Sequence, residues 1–281
     1  MFQYLLPKQA ITLLAGKFAN AEAGWMTTSV IRWFVDRYGV NMQEAAEPDI
    51  ERYSTFNQFF TRALRADARP LARTDFICPV DGTISQFGNI EQGLIFQAKG
   101  HEYSAAALLG GSEQLAAQFA NGSFATLYLS PKDYHRIHMP CAGRLKSMIH
   151  IPGSLFSVNP LTAQTVPGLF ARNERLVCEF ESGEIGSFIM VLVGATIVGS
   201  MATSWHGVVN PPRPKQPRGW KYDETTIELG QGEEMGRFLL GSTVILLFPQ
   251  QSVEFSQDWH AGKSVRMGEA MAARPPQNQP A

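Results

Sequence analysis

The chain has 281 residues, 44% of them hydrophobic, with 24 Lys and Arg against 25 Asp and Glu. That length and apolar content exclude a disordered chain and allow one large domain or two small ones. A formal net charge of -1 excludes a general nucleic-acid binder, which needs a basic excess.

The three cysteines, Cys78, Cys141 and Cys178, are isolated in sequence, so neither a disulfide framework nor a C-x-x-C metal site is expected, and a reducing compartment fits best. No run of about 18 apolar residues is present, and the N-terminus lacks the pattern of a signal peptide.

Residues 1–40 pair an apolar pattern (Phe2, Leu5, Leu6, Ile11, Leu14, Phe18, then Trp25, Met26, Ile31, Trp33, Phe34) with Lys8, Lys17, Arg32 and Arg37 against only Glu22 and Asp36. Pro7 and Gly24 suggest breaks between short helices. Such a pair can lie on an anionic membrane surface, or it can pack on a core in the ordinary way. Thr55–Arg65 reads as a helix with Phe56, Phe59, Phe60 and Leu64 on one face.

From Phe76 onward the pattern becomes that of strands: Thr83–Phe87, Leu94–Ala98, Phe124–Leu129, Leu145–Ile151, Phe188–Val193, Thr196–Met201 and Val244–Phe248. Helical segments at Ser104–Leu109 and Glu113–Phe119 interrupt them. The Ala-, Pro- and Gln-rich end reads as a disordered tail over 269–281. The expected class is α+β: a helical region over 1–75, then a β-rich, barrel-sandwich-like domain over 76–268.

Three features carry chemistry. Asp133-Tyr134-His135-Arg136-Ile137-His138 places two histidines three apart after a strand and a Ser130-Pro131 turn. They can act as separate acid and base; no third ligand at metal spacing accompanies them. Asp81 sits in Pro79-Val80-Asp81-Gly82-Thr83, where it can close an Asx turn or orient a histidine. Leu240-Gly241-Ser242-Thr243 opens the apolar run Val244–Phe248. Glycine leaves its carbonyl carbon open to attack by the next residue's hydroxyl. An N→O acyl shift followed by β-elimination would cut the chain and turn Ser242 into a pyruvoyl group, a ketone able to form a Schiff base with an amine. Gly-Ser-Thr is also ordinary turn chemistry.

These blocks, in this order, resemble the bacterial phosphatidylserine decarboxylases. Gly153-Ser154-Leu155-Phe156-Ser157-Val158-Asn159, Leu192–Ser200 and Glu234-Met235-Gly236-Arg237-Phe238 strengthen the likeness, which spans nearly the whole chain. The resemblance implies cleavage between Gly241 and Ser242 into a β subunit, 1–241, and an α subunit, 242–281. It implies a processing triad of Asp81, His138 and Ser242, with Asp81 orienting His138, and a covalent pyruvoyl cofactor made from Ser242. His135 would be the proton donor in decarboxylation. It implies phosphatidylserine as substrate, phosphatidylethanolamine and CO2 as products, no metal and no nucleic acid. It implies a peripheral place on the cytoplasmic face of the cell membrane, and it allows a homo-oligomer of αβ units. His206 and the Pro-rich segment 209–220 receive no role.

Two other readings stay open. The P-x-D-G turn also occurs in barrel-sandwich modules of the lipoyl and sugar-phosphotransferase kind. A pyruvoyl decarboxylase of a soluble amino acid would use the same chemistry without needing residues 1–40.

Overall fold

The computed structural model describes residues 8–196, 200–210, 213–222, 226–239 and 242–276. Two helices come first, Lys8–Ala19 and Trp25–Tyr38. Gly24 at φ 55° starts the second, and Gly39 at φ 66° ends it in the left-handed region, its N–H bonded to Val35 O. Thr27, Ile31 and Phe34 point inward, and Phe34 packs on Phe56, Phe59 and Phe60. The opposite surface is apolar but uncovered: Trp25 is 77% exposed, Trp33 58% and Phe18 60%. The inward face packs as the core reading expects, and the outer face leaves its apolar side chains uncovered.

The helix expected over Thr55–Arg65 is shorter. Thr55 caps it and it ends at Phe60. Beyond Thr61 the backbone bonds across to residues 44–46 instead, with Arg65 N on Glu44 O and Ala63 O accepting from Ala46 N. Those tertiary bonds replace the next helical turn.

The core is built around one large antiparallel sheet. Its strands run in the order Arg218–Lys221, Gly143–Ile151, Arg175–Ser182, Gly186–Val193, Ser242–Phe248, Ser123–Leu129, Gly82–Asn89 and Ser264–Val265, and Glu228–Leu229 also pairs with Gly143–Ile151. Ser242–Phe248 lies at its centre. Val244, Leu246 and Phe248 enter one apolar cluster, while Ile245 and Leu247 enter another on the opposite face. Burial on both faces explains why this strand reads as a continuous apolar run.

One face is covered by two small sheets. The first contains Phe76–Ile77, Ala270–Ala273 and Glu254–Phe255; the second contains Gly207–Val208, Met201–Thr203, Glu234–Phe238 and Arg136–His138. The other face is covered by the hairpin Leu94–Ser104 and short helices at Ala105–Leu108, Glu113–Ala117, Pro160–Ala163 and Leu169–Arg172. The α+β class holds, and among the described residues the sheet stays open and closes no barrel.

Three expectations need correction. Ala270–Ala273 is a strand between Phe76–Ile77 and Glu254–Phe255, not a disordered tail, because Met271 and Ala272 are buried; residues 277–281 lie outside the described residues. Of the strand expected at Thr196–Met201, residues 197–199 also lie outside them, and the observed strand begins at Met201. Arg175–Ser182, which the sequence pattern passed over, is an inner strand of the large sheet.

Candidate active site

The turn after Ser123–Leu129 is tied by the Asp133 carboxylate, which accepts bonds from Ser130 N at 2.6 Å and Ser130 Oγ at 2.7 Å. The Asp133 carbonyl then accepts from His135 Nδ1 at 2.7 Å. A carbonyl can only accept, so Nδ1 carries the proton and Nε2 presents a lone pair. His135 is fully buried with its ring 4.0 Å from that of Phe60, and among the described residues Nε2 has no hydrogen-bond partner. Burial pushes its pKa down to about 3; the Asp133 carbonyl opposes this and the Arg62 charge adds to it. His135 is therefore a neutral base in a dry setting.

His138 is built differently. Its strand places its backbone N on Pro79 O. Its Nδ1 donates to Gly232 O at 2.8 Å, and its Nε2 accepts from the Tyr134 hydroxyl at 3.0 Å. Burial lowers its pKa as well. Both histidines are neutral, but only His135 has an unengaged nitrogen among the described residues.

Asp81 does not orient His138 through a hydrogen bond, which corrects the sequence expectation. Its carboxylate is held by Arg69 Nε at 2.9 Å and by Met267 N at 2.9 Å, and Arg69 also bonds Glu44 at 2.7 Å. Gly232 O sets the His138 tautomer instead, and Asp81 reaches that ring only as a nearby charge.

Ser242 opens the central strand with its backbone paired to Leu129. Leu240 and Gly241 lie outside the described residues. The chain leading to them is fixed: Phe238 N bonds His135 O at 3.0 Å, and Leu239 N bonds Ser200 O at 3.0 Å. Gly241 lies three positions beyond Phe238, a reach of about 10 Å at most. His138 pairs further back on the same strand, opposite Glu234. Thr243, next after Ser242, is buried, and its hydroxyl has no partner among the described residues.

Two glycines hold the other sequence blocks in place. A Cβ on Gly236 would meet Ala202 O at 2.5 Å, and one on Gly153 would meet Arg172 O at 2.6 Å. Asn173 joins the second block to Gly194, bonding Phe156 N, Phe156 O and Gly194 O. His206 is exposed, its ring 4.9 Å from that of Trp220.

A cavity of about 310 Å³ is lined by Asp81, Arg69, Arg62, Lys132 and Tyr134 among others. A larger one, about 820 Å³, is lined by Glu181, Glu184, Glu228 and Glu233 and touches neither histidine. The smaller cavity is lined by no histidine either, but it contains Tyr134 and Asp133, which bond His138 and His135. Among the described residues no group of three His, Cys, Asp or Glu could hold a metal ion. Tyr134, Arg69, Arg62 and the Gly232 carbonyl are site groups that sequence reasoning missed. Only Tyr134 carried a signal, its place inside the two-histidine block.

A family model described as phosphatidylserine decarboxylase matches residues 56–273, and a second, described as PSD, matches residues 1–39. The chain belongs to the phosphatidylserine decarboxylase family. A phosphatidylserine decarboxylase proenzyme of Dechloromonas aromatica is 66% identical over 271 residues, covering 96% of each chain. One of Azoarcus sp. is 68% identical over 96% of this chain and 93% of its own. One of Albidiferax ferrireducens is 67% identical over 98% of this chain and 96% of its own. The chain is thus an enzyme of the decarboxylase class, and the family spans both the helices and the sheet.

Proposed function

We propose that the chain is a self-processing, pyruvoyl-dependent decarboxylase that converts phosphatidylserine to phosphatidylethanolamine and CO2. The observation that supports this best is the buried, unprotonated His135 Nε2, on a residue bonded to the chain that runs into Gly241–Ser242.

In processing, the Ser242 oxygen attacks the Gly241 carbonyl carbon, the C–N bond breaks and the nitrogen gains a proton. Elimination then removes the Ser242 Cα proton to a base and breaks the Cβ–O bond, forming the Cα=Cβ double bond and leaving the Gly241 carboxylate on residues 1–241. Water replaces the nitrogen of the resulting dehydroalanine, ammonia leaves, and a pyruvoyl group heads residues 242–281. His138 is the base for the first step. With Nε2 accepting from Tyr134, it acts through that hydroxyl or after the hydroxyl turns away.

The residues present fit the group, since His135 offers a buried proton carrier shielded from water. The pyruvoyl ketone supplies an electrophile for the substrate amine and a sink for the electron pair that CO2 leaves behind. His135 Nε2 enters without a proton, takes one from the substrate ammonium and returns it to the carbon that lost CO2. The exposed Trp25, Trp33 and Phe18 would rest in the interface of an anionic bilayer on the cytoplasmic side. Among the described residues no helix is long and apolar enough to cross a membrane.

Intact mass spectrometry of the purified protein tests the processing step. Two chains, 1–241 and 242–281 with a pyruvoyl mass at the new terminus, are expected. A single full-length chain that decarboxylates phosphatidylserine would overturn the proposal. Activity on free serine equal to that on the lipid would overturn the substrate.

A further inference from the structure

Arg62 follows the short helix Phe56–Phe60 and is only 5% exposed. Its guanidinium forms no ion pair among the described residues. Nε has no partner there, Nη2 makes one long bond to Lys132 O at 3.4 Å, and the group lies 5.4 Å from the Phe59 ring centre. A buried charge without a counter-ion is costly and is ordinarily removed from a fold. Arg62 lines the 310 Å³ cavity beside Tyr134.

The carboxylates Asp81 and Glu44 act on it only through space and do not offset its burial, because they are committed to other partners. Asp81 and Glu44 are bound to Arg69, and Glu44 also faces Arg266 at 3.6 Å. Asp133 is engaged by Ser130 and pushed toward its neutral form by burial. Arg62, with exposed Lys132 at the rim, leaves the cavity short of negative charge.

We propose that this cavity binds the phosphodiester of the lipid headgroup, with Arg62 as its principal ligand and Lys132 at its mouth. The proposal rests on phosphatidylserine being the substrate. A planar guanidinium edge with a free Nε suits a phosphate, which accepts two parallel bonds. The substrate's other anion, its carboxylate, is a poor match. A cation held on it would stabilise a charge that the reaction destroys, whereas the phosphodiester stays charged from substrate to product. Position agrees as well. Gly39 and Asn41, just past the helix with the exposed tryptophans, line the same cavity, and Phe60 on the Arg62 segment packs on His135.

The test is direct binding to the processed full-length enzyme by calorimetry. The probes are glycerophosphoethanolamine (a diester without a carboxylate), free serine (a carboxylate without a phosphate) and inorganic phosphate. Arg62→Gln should weaken the diester by about 10- to 100-fold, the loss of a charge-assisted bond, and leave serine unchanged. Arg62→Lys should recover part of the loss. Lys132→Glu, an exposed change that spares the core, should weaken the diester several-fold and decides the matter if Arg62→Gln does not fold. Undiminished diester binding in folded Arg62→Gln, or in Lys132→Glu, overturns the site. Selective loss of serine would assign the cavity to a carboxylate, and tighter binding of inorganic phosphate than of the diester would assign it to a free anion; either overturns the proposal. A wild-type enzyme that binds the diester but leaves phosphatidylserine intact would defeat the proposed function and spare the binding site.

Discussion

The turn that holds His135 and the strand that holds His138 lie three residues apart, yet they prepare the same side chain in opposite ways. At His135 the turn's own carbonyl fixes the tautomer, and the basic nitrogen is left without a partner among the described residues. At His138 a carbonyl distant in sequence fixes the tautomer, and a tyrosine occupies the basic nitrogen. Identical rings at H-x-x-H spacing therefore need not share a task. Availability of the lone pair is what differs, and it comes from neighbours rather than from the motif.

The comparison can be broken at several levels. The largest effect is expected from Ser242→Ala, which should abolish cleavage and activity together; two-chain product on a denaturing gel would show that another residue makes the cut. His138→Ala should leave the chain in one piece, whereas His135→Ala should cleave and then decarboxylate about 100- to 10,000-fold more slowly, as for loss of a general acid–base. Identical failure of both at cleavage would end the division of roles.

Asp81→Asn should act chiefly on stability. It removes a carboxylate from buried Arg69, which costs about 3–5 kcal/mol when a buried pair is broken. A normal denaturation midpoint with blocked cleavage would restore Asp81 as a direct partner of His138. Tyr134→Phe is a finer probe. If the hydroxyl relays the proton, cleavage should slow by about tenfold or more, a typical general acid–base contribution being larger still. If it merely occupies the nitrogen, cleavage should proceed at least as fast, read as the half-time of gel conversion.

The smallest effect concerns pH. His135 is neutral when folded, with a pKa near 3, against 6.5 when unfolded. Below pH 6.5 the unfolded chain binds the extra proton, so stability present at neutral pH is lost as the pH falls toward about 3. His135→Gln should flatten that dependence in chemical denaturation at pH 7 and pH 5. An unchanged slope would mean that the ring is solvated in solution.

Much of the fold was legible because its central strands are buried on both faces. Leu94–Ala98 matches its expected bounds, and Val244–Phe248 differs only by the two residues that precede it. Arg175–Ser182 was hidden because Arg175, Glu179 and Glu181 break its apolar pattern. Arg175 is buried nonetheless, bonded to the carbonyls of Leu108 and Ala107, 67 and 68 residues away. Ala270–Ala273 was hidden by small residues that resemble a tail until they find two partner strands. The histidines, Asp81 and Ser242 stood out as reactive types in marked contexts. Their partners did not: Gly232 lies 94 residues from His138, and Arg69 lies 12 from Asp81 with nothing in its surroundings to single it out. Sequence spacing carries local geometry, and these pairs are made by the sheet.

The place of Ser242–Phe248 in that sheet has a consequence for the life of the molecule. The strand is laced to Ser123–Leu129 on one side and Gly186–Val193 on the other, so the proposed cut at its first residue would free no piece of the protein. The two fragments would stay together as sewn cloth does after a single thread is snipped at the hem. Assembly from the unfolded state, however, would become an encounter between two molecules rather than the closure of one. The intact precursor could fold repeatedly, while the mature enzyme would depend on never coming apart, its persistence set by how slowly that strand leaves the sheet.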